Sequence, residues 1–313
     1  MDLLPLVDRI GESPTAALFG LITGITFGVA AQRSRFCLRA ATVEFARGRM
    51  EDKVAVWFLT FSTAVVWVQA AQLLGLMRVE DARMMAVPGS WSGAVIGGLL
   101  FGVGMVLARG CSGRLLVLAS TGNLRSVVSG LIFAVVAQMS LNGVLSPVRD
   151  RLAGLWITPG GRNVNLLAAL HLPEWSGLAI GLGFAALALV LARRNRIGAR
   201  RLFFGAGVGF SVALGWVLTY SLSQVAFEPV QIESTTFTGP SANTLMFFLD
   251  RNAVLEFDVG LVPGVVIGAF LSSIVMREFQ FQGFEGPGPM RKAMIGAVLM
   301  GFGGMLAGGC EAH

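Results

Sequence analysis

Eight stretches of the chain run at membrane-spanning length without one charged residue: Ala16–Ala31, Val54–Met77, Trp91–Ala108, Val127–Leu145, Trp175–Ala192, Leu202–Phe227, Val259–Met276 and Ala293–Cys310. A helix crosses the hydrocarbon core in about 20 residues. Only helices and closed barrels satisfy every backbone polar group there. Charged residues make up 13% of the 313 positions, against the roughly one quarter usual in soluble domains. The pattern predicts an all-α integral membrane protein with about eight to nine transmembrane helices plus short half-helices.

The net charge of +6 lies mostly in short hydrophilic joints between the apolar runs, where positive residues set orientation. No basic stripe with interleaved aromatic residues appears, which excludes a nucleic-acid partner. "RGRMEDK" (Arg47–Lys53) and "RRNRIGARR" (Arg193–Arg201) both read as cytoplasmic. The first fourteen residues are mildly polar, so Ala16 onward reads as a permanent span rather than a cleaved leader. Three cysteines, an odd number beside or inside apolar sequence, argue against a disulfide framework.

The 41 glycines let helices approach closely and break them where backbone lines a cavity. They are not spread at random. Ile96–Cys111 and Ile295–Cys310 share nine identities in sixteen positions at a constant offset of 199. Among the pairs are Gly97/Gly296, Gly104/Gly303, Gly110/Gly309 and Cys111/Cys310. A weaker echo sets "SRFC" (Ser34–Cys37) against "TTFT" (Thr235–Thr238), which makes Thr238 the counterpart of Cys37. The chain thus reads as two related halves, a first repeat over residues 1–160 and a second over 161–313, forming one membrane domain with a Pro-, Gly- and Asn-rich joint at Leu145–His171. Five crossings from Ala16 to Ala192, with Trp91–Ser120 taken as one broken crossing, are an odd number and make the repeats inverted, an arrangement that recurs in transporters with sites at helix breaks.

Trp91–Arg109 and Ser112–Ser120 read as half-helices meeting at a glycine-made break, Gly110–Cys111. Phe36–Ala46 and Thr236–Leu249 read as matching short pieces in the two halves. A single buried cysteine usually behaves as a small hydrophobe. Two at one position of a repeat, with a third at another break, point to function. A helix restarting after Cys111 offers free N–H groups and a positive dipole end, which suit an anion. Arg35, Arg39 and Arg109 add attraction for negative charge, although each could equally be an interfacial side chain with its head in water. A thiol is a weak, polarizable donor that suits a sulfur acceptor better than hard phosphate oxygens. No His or carboxylate sits beside Cys37 or Cys111 to complete a metal site, and two histidines provision catalysis poorly. Neither a metal, a cofactor nor a catalytic residue is therefore expected. Glu44, seven residues from Cys37, is expected to pair with Arg39 or Arg47.

These phrases, "GVGMVLARGCSGR", "GFGGMLAGGC", "RSRFCLRAA" and "TFTGP" (Thr236–Pro240), resemble the YeeE/YedE family of bacterial inner-membrane proteins. The resemblance spans nearly the whole chain. It implies a multi-pass protein of the inner membrane that imports thiosulfate or a related soft sulfur anion through a waist of thiols and helix N-termini. On that pattern Cys37, Cys111 and Cys310 would handle the ion by transient S–H···S contacts, with Gly110, Gly309 and Thr238 beside them. It also implies a small cytosolic sulfur-carrier protein as partner. Family members continue beyond the second glycine–cysteine phrase with another half-helix and span. This sequence stops three residues after Cys310, so a shortened second repeat is expected. The competing reading is a membrane component of a sulfur-transfer system, one cysteine carrying a persulfide to a cytosolic partner.

Overall fold

The computed structural model describes residues 3–82, 85, 89–158, 163–251, 253–284 and 286–308. In chain order the α-helices are α1 (Leu4–Ile10), α2 (Glu12–Ser34), α3 (Leu38–Ala46), α4 (Asp52–Leu73), α5 (Trp91–Ala108), α6 (Ser112–Ser120) and α7 (Leu124–Leu141). They continue as α8 (Ser146–Ala153), α9 (Leu166–Ala169), α10 (Trp175–Arg194), α11 (Ala199–Ser223), α12 (Thr238–Leu249), α13 (Phe257–Val275) and α14 (Pro287–Ala307). Among the described residues eight stretches are long and apolar enough to cross a membrane, α5 and α6 counting as one. The expected all-α membrane fold is the one observed. Among the described residues the only extended pairings are two isolated bridges, Ser90 with Ile157 and Asn123 with Gln282.

The chain divides into two compact units, and each draws on both halves of the sequence. Unit one comprises Met1–Ala82, Asn165–Thr235 and Leu255–Glu278; unit two comprises Arg83–Val164, Thr236–Val254 and Phe279–His313.

Unit one is organised by two parallel helix pairs. Lipid is as apolar as leucine, so membrane helices associate through close backbone packing rather than through a hydrophobic drive. In α2 the glycines recur every fourth residue at Gly20, Gly24 and Gly28, and in α13 at Gly260, Gly264 and Gly268. Gly20 faces Phe257 and Leu261, Gly24 faces Leu261 and Val265, and Gly28 faces Val265 and Ala269. Both rows ascend together, so α2 and α13 are parallel, and a side chain on any of the six would meet the partner's backbone. The second pair, α4 and α11, is also parallel: Gly205 lies against Val56 and Leu59, and Gly209 against Thr60 and Ala64. Thr60 Oγ1 donates to the Gly205 carbonyl at 3.0 Å.

At one end Arg201 ties the two pairs together. Its Nε donates to the carbonyl of Ser34, the last residue of α2, at 3.0 Å. Its Nη1 reaches Asp52, at the start of α4, at 2.6 Å. The start of α11 therefore lies at the end of α2, and these two helices are antiparallel. A guanidinium at the C-terminus of one helix and a carboxylate in the first turn of another both complement the helix dipoles.

Unit two is built on α14. Gly97 of α5 faces Gly303 and Ala307, while Gly104 faces Gly296 and Met300, so α5 and α14 are antiparallel. On another side of α14, Gly301 lies against Phe133, Val136 and Ala137 of α7. Ala137, Leu141, Ala242 of α12 and Met305 close a buried cluster there. The turn between α6 and α7 is fixed by the segment before α14. Gln280 N–H donates to the Thr121 carbonyl, Gln282 N–H to Gly122 and Leu124 N–H to Gln282. Asn123 caps α7 by accepting from Ser126 N–H at 2.9 Å, and its Nδ2 donates to Gln282 Oε1 at 2.7 Å. Arg149 of α8 is 2% exposed, and its charge is met by Asp150 at 2.9 Å.

Candidate functional site

The ends of α2 and α5 share one backbone design. After α2, Arg35 N–H donates to Gln32 and Phe36 N–H to Ala31; after α5, Arg109 N–H donates to Val106 and Gly110 N–H to Met105. These paired bonds are the Schellman closure, whose left-handed residue is usually glycine. Here it is arginine in both cases, Arg35 at φ 53° and Arg109 at φ 58°. The expected glycine-made break is thus corrected: Gly110 carries no positive φ, and the turn falls on Arg109. A side chain in that region costs roughly 1–2 kcal/mol. Arg196 and Arg277 occupy it too, at φ 52° and 55°. Arginine at a helix C-terminus complements the dipole, so a left-handed arginine is a habit of this chain and not a site by itself.

Arg35 and Arg109 differ from the other two in leading directly into a capped half-helix. Two residues after each, a cysteine stands as the N-cap of a short helix, Cys37 for α3 and Cys111 for α6. Both have extended backbone, Cys37 at φ −158°, ψ 109° and Cys111 at φ −79°, ψ 170°. Their carbonyls accept the first helical bonds, from Ala41 N–H and Leu115 N–H. In neither helix does the cap side chain accept a bond from the first turn. Serine, threonine or aspartate at an N-cap normally takes one of those N–H groups. Sulfur, a weak acceptor, leaves them aimed past the thiol.

Cys111 is buried and Cys37 half-buried. Cys37 belongs to unit one, Cys111 and Thr238 to unit two. Cys310 and Gly309 lie outside the described residues. Thr238 is the first residue of α12, behind the N-cap Phe237. A Cβ built on Gly304 of α14 would lie 2.7 Å from its Oγ1, so the hydroxyl rests against α14 six residues before Cys310. Beside Cys37 an apolar groove of about 280 Å³ opens between α3 and α4, lined by Leu38, Ala41, Thr42, Phe45, Val54, Trp57 and Phe58.

The arginines divide by what they touch. Arg35 pairs with Glu278 at 3.2 Å, with its side chain 67% exposed. Arg33 stacks over Phe204 with 4.9 Å to the ring centre, and its Nε donates to Ser272 Oγ at 3.3 Å. Arg39 is half-buried with its Nε unpartnered. Arg114 sits half-buried in the first turn of α6.

Glu44 does not make its expected ion pair with Arg39 or Arg47. Its carboxylate accepts from Lys53 N–H at 3.0 Å and Val54 N–H at 3.1 Å, capping α4 from outside. Desolvation is the largest influence on its pKa and nearby Asp52 also repels its charge, so it titrates above the ordinary carboxylate value despite the two backbone donors. A raised carboxyl pKa means that the folded state binds the proton more tightly, so stability falls as pH rises from the unfolded value through the folded one. Glu44→Gln, which keeps an acceptor but cannot ionise, should flatten that decline just above pH 4.5. Thermal melts of the two proteins across that window are the check.

With the half-helices and their caps in place, relatives can be compared. The model of the sulphur transport family matches residues 33–312. The chain belongs to the sulphur transport family. It is 27% identical over 319 residues to the thiosulfate transporter TsuA of Escherichia coli strain K12, covering 94% of this chain and 85% of the relative. It is 26% identical over 310 residues to the thiosulfate transporter TsuA of Spirochaeta thermophila, covering 93% and 88%. The family is one of transporters rather than enzymes. Together with eight apolar helices of membrane length, this makes the chain a multi-pass membrane protein, consistent with the bacterial inner membrane.

Proposed function

We propose that this protein imports thiosulfate along a path lined by cysteine thiols and the N-termini of short helices. One observation carries the reading: Cys37 and Cys111 each cap a half-helix without using its first-turn N–H groups. Such an end carries about half a positive charge, and its N–H groups point at whatever anion stands before it. Thiosulfate is a dianion with hard oxygens at one end and a soft sulfur at the other. Its oxygens suit backbone N–H groups, and its terminal sulfur suits the polarizable S–H.

The remaining residues take supporting places. Cys310 and Gly309 repeat the phrase of Cys111 and Gly110 and are assigned the equivalent position on the path. Thr238, at the start of α12, presents a hydroxyl where Cys37 presents a thiol. Arg35, Arg39 and Arg109 raise the local concentration of anions. Two inverted repeats would account for the helix directions within each unit. In unit one α2 runs against α11, its counterpart from the second half. In unit two α5 runs against α14, again its counterpart. Transporters built this way place their sites at helix breaks in corresponding positions of the two halves.

Uptake of sulfur-labelled thiosulfate into proteoliposomes is the test, with sulfate as competitor. Wild-type protein should accumulate label that excess sulfate does not displace, and the double variant Cys37→Ala, Cys111→Ala should not. Label entering equally well through the double variant would remove the thiols from the path. Displacement by sulfate would replace the soft-anion reading with a general oxyanion one.

A further inference from the structure

Unit two buries two hydrogen-bond donors with no acceptor on one face of one helix. Arg125, in the first turn of α7, is 9% exposed, and Ser129, one turn on, is 0% exposed. Arg125 Nη1 and Ser129 Oγ are both buried without a partner. Residues four apart on a helix are neighbours, about 5–6 Å between Cβ atoms, and their side chains lean toward the helix N-terminus. Both donors therefore belong to the space over the start of α7.

That combination is costly. A buried guanidinium is tolerated when a carboxylate meets it, as Asp150 meets Arg149. Arg125 has no such carboxylate among the described residues. Its charge also stands at the positive end of α7, where a cation is repelled. A buried serine in a helix ordinarily donates to the carbonyl four residues back. Ser140 of the same helix does so, to Val136 at 2.7 Å, whereas Ser129 does not. The turn that precedes them is nevertheless held in place, with Asn123 accepting from Ser126 and donating to Gln282. Buried polar groups in folded proteins are almost always paired, so two orphans on one face of a well-bonded turn mark the place of a partner that is not protein. An anion answers all of it: the fixed fork of the guanidinium, the hydroxyl and the positive helix end.

We propose that Arg125 and Ser129 form an oxyanion subsite at the start of α7 that takes the sulfonate-type oxygens of the transported anion. That the occupant is the transported anion rests on the proposed function. The ligand chemistry itself, a tetrahedral oxyanion, rests only on the two orphaned donors. A phospholipid headgroup offers the same oxygens, so the experiment separates the two sources.

The full chain is purified in detergent, and its melting temperature is followed with thiosulfate, with sulfate and with phosphatidylglycerol. Reconstituted protein supplies KM for thiosulfate uptake. Wild type should melt higher with thiosulfate, and with sulfate only at concentrations well above those used as competitor, because sulfate offers the subsite its oxygens but no soft sulfur to the thiols. Arg125→Met should melt higher than wild type without ligand, because an uncompensated buried charge is gone, and should lose the response to anions. Its KM should rise at least tenfold. Ser129→Ala should raise KM two- to fivefold, and Arg125→Lys should keep part of the response through its point charge.

An Arg125→Met protein that melts lower and transports with unchanged KM would make the guanidinium structural and overturn the proposal. So would wild type that responds to phosphatidylglycerol and to neither small anion. If wild type takes up no thiosulfate, yet both anions raise its melting temperature through Arg125, the subsite stands and the transport reading falls.

Discussion

Cys111→Ser is expected to raise the melting temperature of the protein and to cut thiosulfate uptake by ten- to a hundredfold. The two effects have one cause. Cys111 is the N-cap of α6, and its side chain accepts nothing from the first turn. A serine hydroxyl there would accept from the N2 or N3 N–H and stabilise the helix by about 1 kcal/mol. On the proposed path the same bond would occupy a donor assigned to the anion and replace a polarizable S–H with a hard hydroxyl. Losing one hydrogen bond to a charged group is worth about 1.5–3 kcal/mol, which sets the size of the uptake loss. Cys111→Ala should lose uptake to a similar degree without the gain in stability, so the comparison separates capping from anion contact. A serine variant that transports as well as wild type would show that the thiol of Cys111 has no part in handling the ion.

A second large effect is expected in unit one. Gly264→Leu should prevent its folding, and Gly260→Ala should destabilise it by about 3 kcal/mol or more. A Cβ at Gly260 would overlap the Ala17 carbonyl oxygen, and one at Gly264 would lie 2.5 Å from the Leu21 carbonyl oxygen and 3.0 Å from the Gly24 Cα. These neighbours are backbone, so the helices must part rather than a side chain rotate. Overpacking in well-packed interiors costs about 1–3 kcal/mol even where side chains can yield. Parting α2 from α13 also forfeits the dispersion contacts that hold membrane helices together. Gly183 of α10, whose Cβ would meet nothing within 4 Å, is the control. Gly183→Ala should be neutral or slightly stabilising, as expected for alanine in a helix. Yield of monodisperse protein and thermal melts in detergent read both. Equal behaviour of the Gly183 and Gly260 variants would deny the ladder its role.

The sequence was sufficient for the class of fold and for the position of its breaks. Uncharged runs of spanning length leave a chain no alternative to membrane helices, because lipid cannot bond an open backbone. The phrase ending at Cys111 announced a restart, and α5 and α6 indeed meet there. Which residue makes the turn was not legible. Glycine is the usual choice in the left-handed region, yet Arg35 and Arg109 occupy it. The helix dipole and the closing backbone bonds outweigh that local preference.

Glu44 shows the same limit. Spacing along the chain offered Arg39 and Arg47 as partners, whereas folding brought it to the uncapped start of α4. Arg125 and Ser129 stand out in sequence only as an arginine at the edge of an apolar run and a serine four residues on. Their want of acceptors exists only once α7 is packed.

By itself, then, the sequence determined that this is a multi-pass helical membrane protein of the sulphur transport family, with Cys37 and Cys111 at helix breaks. Those properties arise from local composition and from phrases short enough to read directly. Tertiary structure alone decided which helices pair, because pairing depends on glycine rows that fit only in one register and direction. It alone decided which donors are left without acceptors, because burial removes water from every group and supplies partners to some of them only.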